Sequence, residues 1–221
     1  MKRVLVLGAS GGIGSAVAYL CEQRGATVTR LSRRDYGLDI TDQVSIKAAL
    51  GGLEPGFDLI FVATGALEIA GAAPEKTLSS LTSRVLADQY ALNAIGPALV
   101  LKHARRLMLR DERAVFAALS ARVGSIGDNA LGGWYSYRAA KAGLNQLIHT
   151  GAIEIARTHR KAVCVTLHPG TVATAFTEKY LGRHPAVSPE DAAENILSVI
   201  ATLSPEHTGR FFDWSGAEVA W

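Results

Sequence analysis

Apolar residues along this chain follow two alternating rhythms. Short runs at 4–7, 57–63, 114–119 and 162–167, apolar apart from Asp58 and Thr166, have the length and flanks of strands buried on both faces of a parallel sheet, and 26–31 and 210–214 read as further strands. Between them, apolar positions recur every three or four residues, the spacing of helices that cover such a sheet. Ile13, Ala16, Val17, Leu20 and Cys21 repeat in this way up to Gly25, a C-terminal cap. Thr41 is placed to cap a second helix that closes at Gly51 and Gly52. A long helical region follows from about 81 to 110, bent near Gly96-Pro97. Residues 121–133, rich in Gly, Ser, Asp and Asn, read as loop, and a helix over 135–159 follows them. There Ala139, Ala140, Ala142 and Gly143 leave room for a close partner. Ser188-Pro189-Glu190-Asp191 combines a cap, a first-turn proline and first-turn acids, and starts a helix to about 203. The alternation predicts an α/β fold, a doubly wound parallel sheet with helices on both faces and right-handed crossovers. No repeat or linker divides the chain, so residues 1–221 are expected to form one domain. Ligands of such sheets sit beyond the carboxyl ends of the strands, where the strand order reverses.

Composition narrows the function classes. With 48% hydrophobic and 19% charged residues the chain has ample material for a core. The net charge of +3 is mild and no run of five Lys or Arg occurs, so no nucleic acid is implied. Cys21 and Cys164 fall on apolar faces, as reduced thiols of a cytoplasmic protein would. The first apolar run stops at Gly8, too soon for a secretory core. No stretch approaches the roughly 18 apolar residues that span a bilayer, so no membrane is expected. The six histidines have no metal-ligand spacing.

Chemistry enters at two places. After the first strand, Gly8, Gly12 and Gly14 form a turn into a helix, which presents backbone N–H groups and a helix N-terminus to an anion. Gly8 permits the tight turn, Gly12 the approach of a diphosphate, and Gly14 close helix packing. Ser10 and Ile13 lie in the same turn and are candidate contacts. A glycine turn can be purely structural, but strand and helix flanks on either side mark a dinucleotide site. Farther on, Tyr137 and Lys141 lie one helical turn apart on one face. A cation beside a phenol favours its ionised form and suits it to proton transfer near neutral pH. Alone, this spacing is equally that of an ordinary surface pair.

The interval of three residues between Gly8 and Gly12 and one between Gly12 and Gly14, followed by Tyr137-x-x-x-Lys141, resembles the short-chain dehydrogenase/reductase family. Within that family the segment 132–138 is most similar to the compact C-factor/sniffer-like carbonyl reductases. The resemblance implies a single-domain Rossmann fold with Tyr137 as acid/base and Lys141 as its helper and a holder of the nicotinamide ribose. Asn93, in Ala91-Leu-Asn-Ala-Ile-Gly96, matches an asparagine that holds a water linking the lysine to solvent. Residues 119–124 resemble the family's paired-serine segment, with Ala121 at the usual catalytic position. Ser120 is therefore taken as the active-site hydroxyl, and Ser125 is the alternative. Ala63 and Gly65 stand where the chain approaches the adenosine ribose, although the family's usual asparagines are missing there. Asp39 and Ile40 match the adenine contact, Pro169 and Gly170 the nicotinamide contact. Val172 would offer backbone, and Thr174 its hydroxyl, to the carboxamide. Where an acid would bind the ribose diol the chain has Ser32 followed by Arg33 and Arg34, and guanidinium pairs well with a 2′-phosphate. The expected cofactor is NADP(H), although two solvated arginines at a turn would look the same.

The function expected is reduction of a small-molecule ketone or aldehyde, or in reverse oxidation of an alcohol, by an NADP-dependent oxidoreductase. A homodimer or homotetramer would pair through the helices near 84–110 and 135–159. An NADP-binding regulatory or sensor protein with little turnover is the alternative, and an epimerase or dehydratase would use the same site without net cofactor consumption. Residues 175–187 should cover the pocket, with Phe176, Tyr180 and Leu181 as an apolar wall and Tyr135 as packing or wall.

Overall fold

The computed structural model describes residues 1–175, 177–181 and 186–221. Strands β1 (Arg3–Leu7), β2 (Thr27–Leu31), β3 (Leu59–Val62), β4 (Ala114–Leu119), β5 (Ala162–His168) and β6 (Phe211–Asp213) form one sheet. Their order is β2-β1-β3-β4-β5-β6, and every pairing is parallel. Helices α1 (Gly12–Gln23), α2 (Arg33–Tyr36), α3 (Gln43–Gly51), α4 (Ser83–Tyr90), α5 (Gly96–Ala104), α6 (Tyr135–Ala156) and α7 (Pro189–Thr202) connect them. This is the doubly wound Rossmann-type α/β fold that the alternation predicts.

Two cores explain why the central strands read as apolar runs. Val4, Val6, Phe61, Val115, Val163 and Val165 pack with Val17 and Cys21 of α1 and Ile196 and Ile200 of α7. The alternate residues Leu5, Leu7, Ile60, Phe116 and Cys164 pack on the opposite face with Ile46, Val100, Leu144 and Ile148. Each large side chain buried there contributes roughly 1.5–3 kcal/mol. Cys21 and Cys164 are free thiols, one in each core. β1 pairs with β2 on one side and β3 on the other, so the strand order reverses above its carboxyl end, where Gly8 follows.

Local details depart from the sequence reading. Asp42, not Thr41, caps α3, accepting from the Val44 N–H at 2.8 Å, while the Thr41 hydroxyl donates to Asp39 Oδ1 at 2.7 Å. The long helical region widens into a π turn over Ala91–Ile95, immediately before Gly96-Pro97. Pro97 stands at the start of α5, where its missing N–H is no loss. The helix bearing Tyr137 and Lys141 ends at Ala156 rather than 159. Four-residue α2, whose pattern is too short to read, starts at Arg33 with Ser32 as its cap.

Candidate active site

Four segments converge at the carboxyl ends of the strands: the glycine turn after β1, residues 63–66 after β3, Ser120 after β4 and Pro169-Gly170 after β5. Gly8 adopts φ +84° and its N–H donates to Leu31 O at 2.8 Å. A Cβ there would lie 2.8 Å from the Ala63 carbonyl carbon, and one on Gly14 only 2.3 Å from Gly8 O. The turn is therefore pressed into β3 and α1 in a way no larger residue reproduces. A Cβ on Gly12 would meet Thr174 at 2.7 Å, so the turn faces the segment after β5. The cap residue of α1, Gly11, makes no side-chain cap hydrogen bond and the first turn holds no acid. Its leading N–H groups thus form a cradle for an anion. Ser10 and Ile13 are both partly exposed at its rim.

Tyr137 and Lys141 are 5% and 3% exposed, which removes the surface-pair reading. The Lys141 Nζ donates to Leu119 O at 2.9 Å and lies 5.8 Å from the Tyr137 ring centroid. Burial drives both groups toward neutrality, raising the phenol and pulling the ammonium down to about 7. The expected lowering of the phenol by the cation is not present, because desolvation dominates. Gly65 joins this pair to Asn93, since a Cβ on it would lie 2.8 Å from Asn93 Oδ1 and 3.5 Å from Lys141 Nζ.

Asn93 is fully buried in the π turn, and such turns concentrate at functional sites. Its Oδ1 accepts from Ala66 N at 3.2 Å, and its Nδ2 donates to Ala66 O at 3.0 Å and Gln89 Oε1 at 2.7 Å. Gln89 Nε2 donates in turn to Leu67 O at 2.8 Å. The side-chain amide thereby holds the loop after β3. The two serines separate cleanly. Ser125 Oγ accepts from Asp128 N at 3.1 Å and so closes a turn. Ser120, 4% exposed, has a hydroxyl without a hydrogen-bond partner among the described residues.

At the far end of the site, Arg33 and Arg34 are exposed where β2 ends. Arg34 Nε lies 2.8 Å from Asp35 Oδ1, an ion pair 72% and 45% exposed and therefore weak. Asp39 Oδ1 accepts from Thr41 N and Oγ1, and the Thr41 hydroxyl holds the carboxyl below its usual range. Ile40 is buried with its carbonyl against Gly96. Gly170 adopts φ +80° against the Trp214 ring. Val172 is bridged to Val187, and Val172 O accepts from the Thr177 hydroxyl. Thr174 N donates to the same hydroxyl at 3.2 Å. Phe176 lies outside the described residues. Leu181 and Tyr135 are partly exposed, whereas Tyr180 donates to Glu68 Oε1 at 2.7 Å.

Sequence reasoning misses Glu75, 5% exposed, whose carboxylate accepts from the Ser136 N–H and hydroxyl at the start of α6. The signal available was faint: an acid in a loop 61 residues before its partner. Trp134 was also passed over, and it adopts φ +53°, which costs of order 1 kcal/mol for a residue with a Cβ. Among the described residues no group of His, Cys, Asp and Glu could hold a metal ion, and no helix is long and apolar enough to cross a membrane. A cavity of about 560 Å³ lined by Arg105, Arg106, Arg110 and His159 opens at the opposite, amino-terminal end of the strands. Arg106 there donates to the carbonyls of Leu50, Gly51 and Leu53 and so serves to close α3.

Residues 28–209 match the family model described as enoyl-(acyl carrier protein) reductase. Over the whole of both chains the protein is 32% identical to 1-hydroxy-2-glutathionyl-2-methyl-3-butene dehydrogenase of Rhodococcus sp. strain AD45. A short-chain dehydrogenase/reductase from Burkholderia multivorans with bound NADP superposes with a TM-score of 0.82 at 25% identity, covering 100% of this chain and 99% of that one. NADPH-bound carbonyl reductase from chicken fatty liver superposes with a TM-score of 0.82 at 24% identity, covering 100% and 94%. Motif order, fold and whole-length similarity agree: the chain belongs to the short-chain dehydrogenase/reductase family of oxidoreductases.

Proposed function

We propose that this protein is an NADP(H)-dependent carbonyl reductase that converts a small ketone or aldehyde to an alcohol, and the reverse. The observation that carries this reading is the burial of Tyr137 and Lys141 on one face of α6, beside the backbone of Gly65. The residues present fit the cofactor. The N–H groups around Gly8, Ser10, Gly12, Ile13 and Gly14 would take the diphosphate, and Arg33 and Arg34 the 2′-phosphate. Asp39 and Ile40 would meet the adenine, Ala63 and Gly65 the adenosine ribose. Lys141 would hold the nicotinamide ribose, and Pro169, Gly170, Val172 and Thr174 the nicotinamide. When bound, NADPH supplies the hydride.

The chain's own residues manage the proton. Tyr137, kept protonated by burial, donates to the oxygen of the reduced carbonyl. Lys141 stands ready to favour the phenolate left behind. The Ser120 hydroxyl is uncommitted and available to the same oxygen. Ile95, Leu147 and Ile153, exposed on the helices expected to pair, support a homodimer or homotetramer. The buried reduced thiols fit a cytoplasmic setting.

The test is NADPH consumption over a panel of carbonyl compounds, with NADPH binding followed by fluorescence. Tyr137→Phe is expected to lose about 10²–10⁴-fold in turnover while still binding NADPH. Ala121 at the usual serine position favours the sensor alternative. That alternative stands if wild type and Tyr137→Phe bind NADPH alike and neither turns over any substrate above background.

A further inference from the structure

Trp134 occupies the left-handed region immediately before α6, with φ 53° and ψ 40°. A residue with a Cβ stays there only where its surroundings hold it, and such sites gather at ligand clamps. Glu75 holds it from both sides. The Trp134 N–H donates to Glu75 O at 2.5 Å, and two residues on, the buried Glu75 carboxylate accepts from Ser136 N at 3.2 Å and from the Ser136 hydroxyl. The indole held in this way stands edge-on to two phenols. Its ring centroid is 6.3 Å from Tyr137 at 72°, and 5.6 Å from Tyr180 at 74°. Beside this aromatic corner, Glu68, Lys179 and Tyr180 engage one another. Tyr180 Oη donates to Glu68 Oε1 at 2.7 Å, and Lys179 Nζ donates to Glu68 Oε2 at 2.8 Å.

We propose that Trp134, fixed by Glu75, is a specificity-determining residue that selects flat, conjugated carbonyl compounds such as aryl ketones and aldehydes. The inference rests on the reading of Tyr137 as the group that meets the carbonyl oxygen. With that oxygen at Tyr137, one substituent of the carbonyl lies against the indole and Tyr180. Aromatic rings favour one another in stacked or edge-to-face contact beyond their area alone. The Glu68–Lys179 pair offers no net charge to a carboxylate or ammonium, and the bonded Tyr180 hydroxyl leaves a sugar-like substrate poorly served.

Acetophenone and cyclohexyl methyl ketone have equal carbon counts and the same reacting group, and differ in planarity. The ratio of their kcat/KM values is expected to fall about five- to tenfold in Trp134→Leu, to persist in Trp134→Phe, and to fall in Glu75→Gln, which weakens the clamp. A ratio unchanged in Trp134→Leu overturns the proposal. Ligand-observed saturation-transfer NMR on the NADP⁺-loaded protein reads the same preference without turnover. Acetophenone should give a signal that Trp134→Leu loses, and equal signals from both ketones in wild type overturn the proposal. Absence of turnover with selective binding would instead sink the reductase reading and leave this one standing.

Discussion

The cofactor side and the acceptor side of this site are built by different means. The glycine turn is made of backbone, over the seven residues from Gly8 to Gly14, and its shape is set by contacts that a single Cβ would abolish. The acceptor side is made of side chains brought from afar. Glu75 reaches Ser136 across 61 residues, and Glu68 reaches Tyr180 across 112. Local backbone sites tolerate almost no substitution yet can be read directly from a sequence. Long-range side-chain sites can change without disturbing the backbone, and they are where members of one fold can differ in substrate.

Four substitutions probe this difference, in falling order of effect. Gly14→Ala forces a Cβ to 2.3 Å from Gly8 O. It is expected to remove about 3 kcal/mol or more of stability, lowering the thermal midpoint by more than about 6 °C. An unaltered melt would break the claim that the turn is fixed by close backbone contact. Replacing both Arg33 and Arg34 by alanine should raise the KM for NADPH about tenfold or more while sparing NADH, since two charge-assisted contacts are at stake. Equal effects on the two cofactors would remove the phosphate role.

The third test concerns pH. Burial holds His168 at about 4, below its ordinary 6.5. The unfolded chain therefore takes up the proton first, and stability present above pH 6.5 is lost as pH falls toward 4. Denaturant melts across that window should show the slope, and His168→Gln should flatten it. If the slope is the same in both proteins, another group is responsible. The smallest effect is expected from Ser120→Ala, a fall of roughly twofold to tenfold in kcat with NADPH affinity intact. A loss as large as that of Tyr137→Phe would show that Ser120 fully replaces the hydroxyl missing at Ala121.

How much of this could be read in advance follows the same division. Strand runs, the glycine turn and the Tyr137–Lys141 pair were legible because each is a local pattern with a local cause. The cap of α3 was misplaced by one residue because Thr41 and Asp42 both accept well, and only the fold shows Thr41 turned to Asp39. The π turn at Ala91–Ile95 was invisible because its cause is tertiary: the Asn93 amide is engaged with Ala66 and Gln89. The proximity of Tyr137 and Lys141 was foreseen, but not its electrostatics, since burial depends on what covers the helix. Glu75 and Trp134 were missed because their roles exist only once the loop after β3 meets the start of α6.

The two thiols make the fold report on its own opening. Cys164 is sealed in the core beneath α6 and its pKa is raised to about 12, while Cys21 lies in the other core on α1. Neither can be alkylated until its layer parts from the sheet, so labelling rates measure the opening of each layer separately. A ligand seated on the leading turn of α1 would slow modification of Cys21 before that of Cys164, giving a clock for occupancy that needs no substrate.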